Sequence, residues 1–322
     1  MVMYRSNAPK PAPMQPPALF LSSGDVLADR RYERARVYAA EGDFAAAEDL
    51  LTQALERAPN FASAWFALGE IRAGRGDRAG AVAAFRAALT ADPADRHGAA
   101  LHLARLGEGD PATAMTPAYV GTLFDQYAGH FDAALAGLAY RGPALLRDAL
   151  CVAAAARTRP FRFAHAVDLG CGTGLVAEAL RAECDAIVGV DLSPAMVAAA
   201  RRKGVYAEVA LADLAAFIAS QAAGACDLVV AGDAFVYLAD LAPICRAVAR
   251  ALAPGGLFAF TVETHDGTGV VLGEKLRYAH GADHVRSALG GAGLEALLLK
   301  SASTRNENDA PVPGLVVVAG RA

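Results

Sequence analysis

The residues best able to do chemistry in this chain fall in two short runs, Val167-Asp168-Leu169-Gly170-Cys171-Gly172-Thr173-Gly174 and Val190-Asp191. Each run closes an apolar stretch, and about twenty residues separate them, the spacing of two strands around one helix. A strand, an acid, a glycine turn, a helix and a second strand ending in an acid form a site for a nucleoside-bearing ligand. Glycines at 170, 172 and 174 let the backbone turn sharply and approach a ligand where a Cβ would clash. Asp191 then lies where a doubly wound sheet sets a carboxylate against two ribose hydroxyls. A dinucleotide site would place its third glycine at 175, and Leu175 stands there. Asp168 would also face a pyrophosphate with a like charge. Both points argue against a nicotinamide cofactor and an oxidoreductase.

The elements that must hold these residues follow from hydrophobic runs and punctuation. Strands are expected at Ala164–Asp168, Ala186–Asp191, Ala207–Ala210, Asp227–Ala231 and Leu257–Val262, with helical stretches between them, the first at Leu175–Ala182. Such alternation gives a parallel, doubly wound α/β sheet with its ligand at the carboxyl edge. Leu294–Lys300 and Gly314–Ala319 read as two late strands joined by the polar segment Ser301–Asn308. Ser193-Pro194 opens a helix. In the turn Leu252–Gly256, Gly256 is expected at positive φ. Thr116-Pro117 starts another helix, with Thr116 as N-cap. Its continuation, Leu123–Asp132, carries an aromatic residue every three or four positions, and Ala144–Ala156 leads into the first strand.

This pattern resembles the class I S-adenosylmethionine-dependent methyltransferases, whose ligand has no phosphate and bears a cationic sulfonium. The resemblance implies a Rossmann-like seven-stranded methyltransferase sheet ending in an antiparallel hairpin, with S-adenosylmethionine as cofactor. It assigns Asp168, Gly170, Cys171, Gly172, Thr173 and Gly174 to the glycine motif and Asp191 to the ribose. Leu192 and Met196 would sandwich the purine, with plain core packing as the alternative for Met196. Asp213, beside Leu214, would accept a hydrogen bond from the adenine amino group. The helix around Phe124-Asp125-Gln126-Tyr127-Ala128 is similar to one that closes over the cofactor, which gives Tyr127 the methionine end and leaves Phe124 and Phe131 as packing residues. The loop Gly232–Asp240 would lie beside the reactive methyl and the acceptor. It lacks both the Asn/Asp-Pro-Pro-Tyr/Phe run of amino-methylating DNA enzymes and the Pro-Cys pair of cytosine-C5 chemistry, which disfavours nucleic acid. Asp233 and Tyr237 of this loop, with His280, are the candidate catalytic residues. His280 is the candidate base because imidazole titrates nearest neutrality; a helix-capping role is its alternative. His130, His265 and His284 receive no role.

Residues 28–95 repeat with a period of 34: Gly42-Asp43 recurs as Gly76-Asp77, Ala47 as Ala81, Leu51 as Phe85, Ala54 as Ala88 and Pro59 as Pro93. Each unit reads as two amphipathic helices around a Gly-Asp turn, the Asp capping the second helix. Trp65, Gly69, Ala81, Phe85, Ala88 and Pro93 resemble the tetratricopeptide consensus, while Arg31 and Ala35 depart from it. Two units are fewer than an independent solenoid needs. A capping helix over Arg96–Leu106 and a covering catalytic domain would complete the core. Such a module offers a groove for a protein partner, or merely docks on its neighbour or dimerises.

The chain therefore divides into a disordered proline-rich leader (1–22), an α-helical repeat module (23–110) and a methyltransferase domain (111–322) whose residues 111–160 form the lid and lead-in helices. Order and motifs together are similar to bacterial methyltransferases with an N-terminal tetratricopeptide region. The 322 residues carry a net charge of −4, no footprint for nucleic acid. Five cysteines at 151, 171, 184, 226 and 245 show no metal spacing and fit reduced cytosolic thiols, so no metal is expected. Neither a membrane span nor a secretory signal is apparent, which points to the cytoplasm. The expected activity is methyl transfer to a nitrogen or oxygen of a small molecule or protein side chain. The alternative is a cofactor-binding scaffold whose repeats recruit a partner.

Overall fold

The computed structural model describes residues 19–321. The expected leader thus lies outside the described residues up to residue 18, and its last part, Leu19–Ser22, packs on the repeats. The repeats are two helix pairs, α1 (Val26–Ala40) with α2 (Phe44–Arg57) and α3 (Ala62–Gly74) with α4 (Arg78–Ala91). Gly42 and Gly76 make the left-handed turns within each pair, at φ +83° and +80°. Asp43 then accepts from Ala46 N at 3.0 Å and Asp77 from Gly80 N at 2.9 Å, capping the second helices as the repeat pattern requires. The short side chains have a steric cause: a Cβ on Gly69 would stand 2.6 Å from the Phe85 ring.

Helix α5 (Ala99–Arg105) closes the array. Its buried Leu101 and Ala104 pack with Ala114, Met115 and Tyr119, and with Leu272 and Leu276 of the α/β domain. The apolar face that two repeats leave open is therefore covered by the neighbouring domain. Helix α6 (Pro117–Tyr127) starts where Thr116 Oγ1 accepts from Tyr119 N at 3.1 Å. The aromatic stripe is not one helix, because the chain turns at Ala128–His130 before α7 (Phe131–Gly137). Helix α8 (Gly142–Ala156) follows.

The α/β domain alternates β1 (Phe163–Leu169), α9 (Leu175–Leu180), β2 (Cys184–Asp191), α10 (Pro194–Lys203), β3 (Glu208–Leu211), α11 (Leu214–Ser220), β4 (Cys226–Ala231), α12 (Ala242–Ala251) and β5 (Leu252–Glu263). Next come a side hairpin, β6 (Val270–Leu272) and β7 (Tyr278–His280), then α13 (Ala282–Gly291) and β8 (Leu294–Ser301). A small hairpin, β9 (Asn306–Glu307) and β10 (Ala310–Pro311), leads to β11 (Gly314–Arg321). The main path of the sheet runs β3-β2-β1-β4-β5-β11-β8. Strands β1 to β5 pair in parallel, and β11 runs antiparallel to both β5 and β8. The central strands are apolar throughout because both faces are covered. Leu228 and Val230 of β4 face Leu146 and Leu150 of α8, while Val229 and Ala231 face Ile244 and Val248 of α12.

Two local expectations are corrected. Positive φ falls on Gly255 (+73°), not Gly256, and the Leu252–Gly256 turn lies within β5 as a register shift against β4. The helix-capping alternative for His280 is also set aside, because His280 ends strand β7 and Gly281 stands at the N-cap of α13. No helix among the described residues is long and apolar enough to cross a membrane.

Candidate functional site

The glycine turn leaves β1 with Gly170, Gly172 and Gly174 at φ +70°, +53° and +99°, conformations that a side chain would strain. Gly170 N and Cys171 N both donate to Val190 O, at 2.9 and 3.0 Å, which ties the turn to the end of β2. Asp191 completes the junction. Its Oδ2 accepts from Gly172 N at 2.8 Å and its Oδ1 from Ser193 N at 2.9 Å. The two runs singled out by spacing thus meet at one buried carboxylate, whose pKa burial raises against the pull of those amides.

Asp168 lies beneath the turn, completely buried. Its Oδ2 accepts from the Tyr206 hydroxyl at 2.7 Å, and its Oδ1 has no hydrogen-bond partner among the described residues. Burial, aided by the charge of Asp191, pushes this carboxyl up to about 7 against the Tyr206 hydrogen bond. Tyr206 was not foreseen. A Cβ on Gly174 or Gly189 would stand 3.0 or 2.9 Å from its ring, a fit that no local pattern encodes. Cys171 is buried here, which pushes its thiol up.

Helices α6 and α7 cover the turn. The Ser193 hydroxyl and Ala195 N donate to Asp125, the latter at 3.1 Å, and the Thr173 hydroxyl donates to Asp132. Lys203 pairs with Asp132 at 3.0 Å and with Glu178 at 2.9 Å. Phe131 sits over Gly172, 3.6 Å from where a Cβ would stand. The two acids that tie α6 and α7 to the turn and to α10 were not foreseen, because they are interspersed with an aromatic stripe and form no motif of their own. Of the remaining cofactor candidates, Leu192 is half-buried beside Gly121 and Met196 is completely buried. Asp213 caps α11 through Ala216 N at 2.9 Å, and Leu214 points toward Gly170.

The loop after β4 is built around Asp233, whose backbone is held at φ +52°, a costly geometry for a residue with a Cβ. Asp233 N donates to Thr261 Oγ1 at 2.8 Å, and that hydroxyl donates to Asp233 Oδ1 at 2.6 Å. Its Oδ2 accepts from Thr304 Oγ1 at 2.8 Å and from Arg305 Nη1 at 3.2 Å. Arg305, its side chain 8% exposed, also pairs with Glu263 and Glu307. Arg277 bridges the same two glutamates. Burial works against the Arg305 charge, but Asp233, Glu263 and Glu307 outweigh it and push the guanidinium up. Tyr237 meets Phe124 of the lid edge-to-face at 5.4 Å, and burial raises its hydroxyl. Tyr237 and Tyr127 both lie in the field of Arg277. Arg277, Arg305, Glu263 and Glu307 were not foreseen, because they come from three separate segments.

His280 is not part of that cluster. It is fully buried, sealed between the backbone of Phe235 and Leu238 and the ring of His284, which stacks on it at 5.4 Å. Neither ring nitrogen has a hydrogen bond of standard geometry. Burial, aided by His284, lowers its pKa to about 4, so the ring is neutral at pH 7.

Residues 167–260 match the family model for a methyltransferase domain, and residues 32–96 match that for a tetratricopeptide repeat. The chain is 34% identical over 145 residues to human methyltransferase-like protein 27, across 44% of this chain and 57% of that protein. It is 36% identical over 97 residues to the trans-aconitate 2-methyltransferase of Delftia acidovorans, across 30% of this chain and 36% of that one. It thus spans 36% to 57% of the length of these two curated relatives. Among solved structures, the magnesium protoporphyrin IX methyltransferase of Synechocystis PCC 6803 with bound SAM superposes at TM-score 0.42 and 18% identity, covering 62% of this chain and 84% of that one. The turn, Asp191, Asp213, Asp233 and Tyr237 all lie within the matched domain, whereas Arg277 and Arg305 lie beyond it. Residues 167–260 are thus similar to the methyltransferase-domain family, and a region similar to tetratricopeptide repeats stands ahead of them.

Proposed function

We propose that this protein transfers a methyl group from S-adenosylmethionine to a nitrogen or oxygen of a small molecule or a protein side chain. The observation that carries this reading is the convergence of the glycine turn and Asp191 at the carboxyl edge of the sheet. The residues fit the cofactor in two respects: three glycines hold the turn at positive φ at the carboxyl edge, and Asp168 keeps a buried oxygen without a partner among the described residues. In this reading the turn backbone and Asp191 hold the nucleoside, with Leu192, Met196 and Leu214 beside the purine and Asp213 at its amino group. Asp168 supplies negative charge to the cationic methionine end, next to Tyr127. Asp125 and Asp132 latch α6 and α7 over the site and exclude water.

When bound, the cofactor supplies an electrophilic methyl on a sulfonium, and the protein's task is to hold the acceptor in line with it. Tyr237 forms a wall for that acceptor, and Asp233, fixed by Thr261, Thr304 and Arg305, sets the shape of the loop. His280 supports the loop from behind as a positioning residue, since its neutral, enclosed ring does not reach an acceptor proton.

Calorimetry tests the reading. S-adenosylmethionine binds, and nicotinamide dinucleotides do not. Asp191→Ala weakens cofactor binding by about 1.5–3 kcal/mol, the range for hydrogen bonds to a charged group. Nicotinamide binding, or unchanged affinity in that variant, refutes the assignment. Labelled-methyl transfer into a lysate, fractionated into proteins and small molecules, then identifies the acceptor class.

A further inference from the structure

Building on the methyltransferase reading above, we infer that the methyl acceptor carries a carboxylate, and that Arg277 recognises it together with the hydroxyls of Tyr119 and Tyr237. Arg277 stands in the side hairpin, immediately before β7. Its Nε donates to Glu263 at 2.5 Å and its Nη2 to Glu307 at 2.6 Å. A guanidinium has five N–H groups, and the two on Nη1 have no partner among the described residues. Arg305 differs, because its Nε, Nη1 and Nη2 are engaged by Glu307, Asp233 and Glu263 in turn. Arg305 therefore holds the acids in place. Arg277, fixed by the same two glutamates, presents a guanidinium edge with donors left over.

Two tyrosines approach this hairpin from different elements. Tyr119 of α6 packs with Leu272 and Leu276, and the turn Phe235–Tyr237 lies against β5 and β7. Arg277 is the foremost charge in the field at both hydroxyls, and at Tyr237 Arg305 comes ahead of Glu263. Two arginines against three acids leave the cluster at −1, yet its cationic side is the one turned to the tyrosines. Burial raises both phenols, that of Tyr119 to about 12, so each is an O–H donor at pH 7. Neither hydroxyl has a hydrogen-bond partner among the described residues. Two N–H and two O–H groups without acceptors fit a ligand group that only accepts, and an ionised carboxylate is one. An ammonium would set donor against donor, and the net negative charge behind the arginines disfavours a dianionic phosphate. A row of rings runs from here to the glycine turn. Tyr237 meets Phe124 at 5.4 Å, Phe124 meets Phe131 at 6.0 Å, and Phe131 covers Gly172. The row suits an acceptor with an apolar body beside its carboxylate.

The test uses the full chain with S-adenosylhomocysteine bound, and phenylacetate, phenylacetamide, 2-phenylethylamine and inorganic phosphate as probes. Cofactor affinity is measured first by calorimetry. Its absence refutes the methyltransferase reading, whereas cofactor binding without a carboxylate preference refutes this inference alone. Phenylacetate binds about tenfold or more tightly than its neutral isostere phenylacetamide, the scale of hydrogen bonds to a charged group, and the amine and phosphate bind more weakly still. Arg277→Gln abolishes the preference for carboxylate over amide. Because that exchange also strips a partner from Glu263 and Glu307, a second variant keeps the test independent of folding. Tyr119→Phe with Tyr237→Phe deletes two hydroxyls and no ring. It lowers phenylacetate affinity about tenfold while the affinities for phenylacetamide and the cofactor stay near wild type. Equal binding of phenylacetate and phenylacetamide, tighter binding of the amine or of phosphate, or a carboxylate preference unchanged in the double variant overturns the inference. So does failure of all four probes to bind the cofactor-loaded chain.

Discussion

Replacing Asp168 with asparagine isolates the most heavily perturbed acid beneath the glycine turn. Burial, with Asp191 adding repulsion, moves its carboxyl from 3.8 to about 7 in the folded protein. A gap of about three pKa units corresponds to about 4 kcal/mol between the ionised and neutral forms. The sign follows from linkage. Below pH 3.8 both states are protonated and the acid costs nothing. As pH rises toward 7 the unfolded chain releases its proton first, so stability is lost across that window and stays level above it. The substituted amide would remain neutral at every pH, and its oxygen could still accept from Tyr206. Its nitrogen would take the place of the partnerless oxygen, at about 1–3 kcal/mol. Asp168→Asn is therefore less stable than wild type by about 1–3 kcal/mol at about pH 4 and more stable by a similar amount at about pH 8. Denaturant unfolding at a series of pH values measures the crossing. A difference that is independent of pH refutes the reasoning. Cofactor binding supplies a second arm: wild-type affinity falls as pH drops below about 7, because protonation removes the charge offered to the methionine end, and the variant binds weakly with a flat profile.

Other outcomes follow from the same geometry. Arg305→Met leaves Asp233, Glu263 and Glu307 under-compensated in a buried network and costs about 3 kcal/mol or more on denaturant unfolding; a cost below about 1 kcal/mol would place the network among solvent-screened surface pairs. Gly98→Val introduces a branched side chain at φ +78° within 2.7 Å of the Tyr119 ring. It should displace the lid helix and weaken cofactor affinity, measured by calorimetry, while the repeats stay folded; unchanged affinity would uncouple the lid from the array. His280→Gln removes a ring whose pKa lies at about 4. Its wild-type protonation opposes folding as pH falls from about 6.5 toward 4, so the variant loses that acid sensitivity. Its rate profile near neutrality keeps the wild-type shape, whereas a loss of about 10²-fold or more in turnover would restore His280 as a general base.

Elements whose causes are local could be read from the amino-acid order alone. Gly42-Asp43 and Gly76-Asp77 set turn and cap within a few residues, so the repeat register was legible. Alternating apolar runs gave the parallel strands, and Val167–Gly174 with Asp191 marked the carboxyl edge, because strand, turn and strand are nearly contiguous. The resemblance supplied the strand order that periodicity does not contain. Which acids ionise freely, and which side chains meet, depends on the assembled fold. Asp168 and Tyr206 are 38 residues apart and pair only because β1 and the lead into β3 flank β2. Asp233, Glu263, Arg277, Arg305 and Glu307 become one cluster when the ends of β4 and β5 meet the loop before β11. Nor does side-chain chemistry reveal whether a histidine faces solvent or a sealed wall, so His280 looked like a base in sequence and is an enclosed ring in the fold. Local composition fixes backbone conformation over a few residues, whereas charge, burial and reach depend on what packs across long separations in the chain.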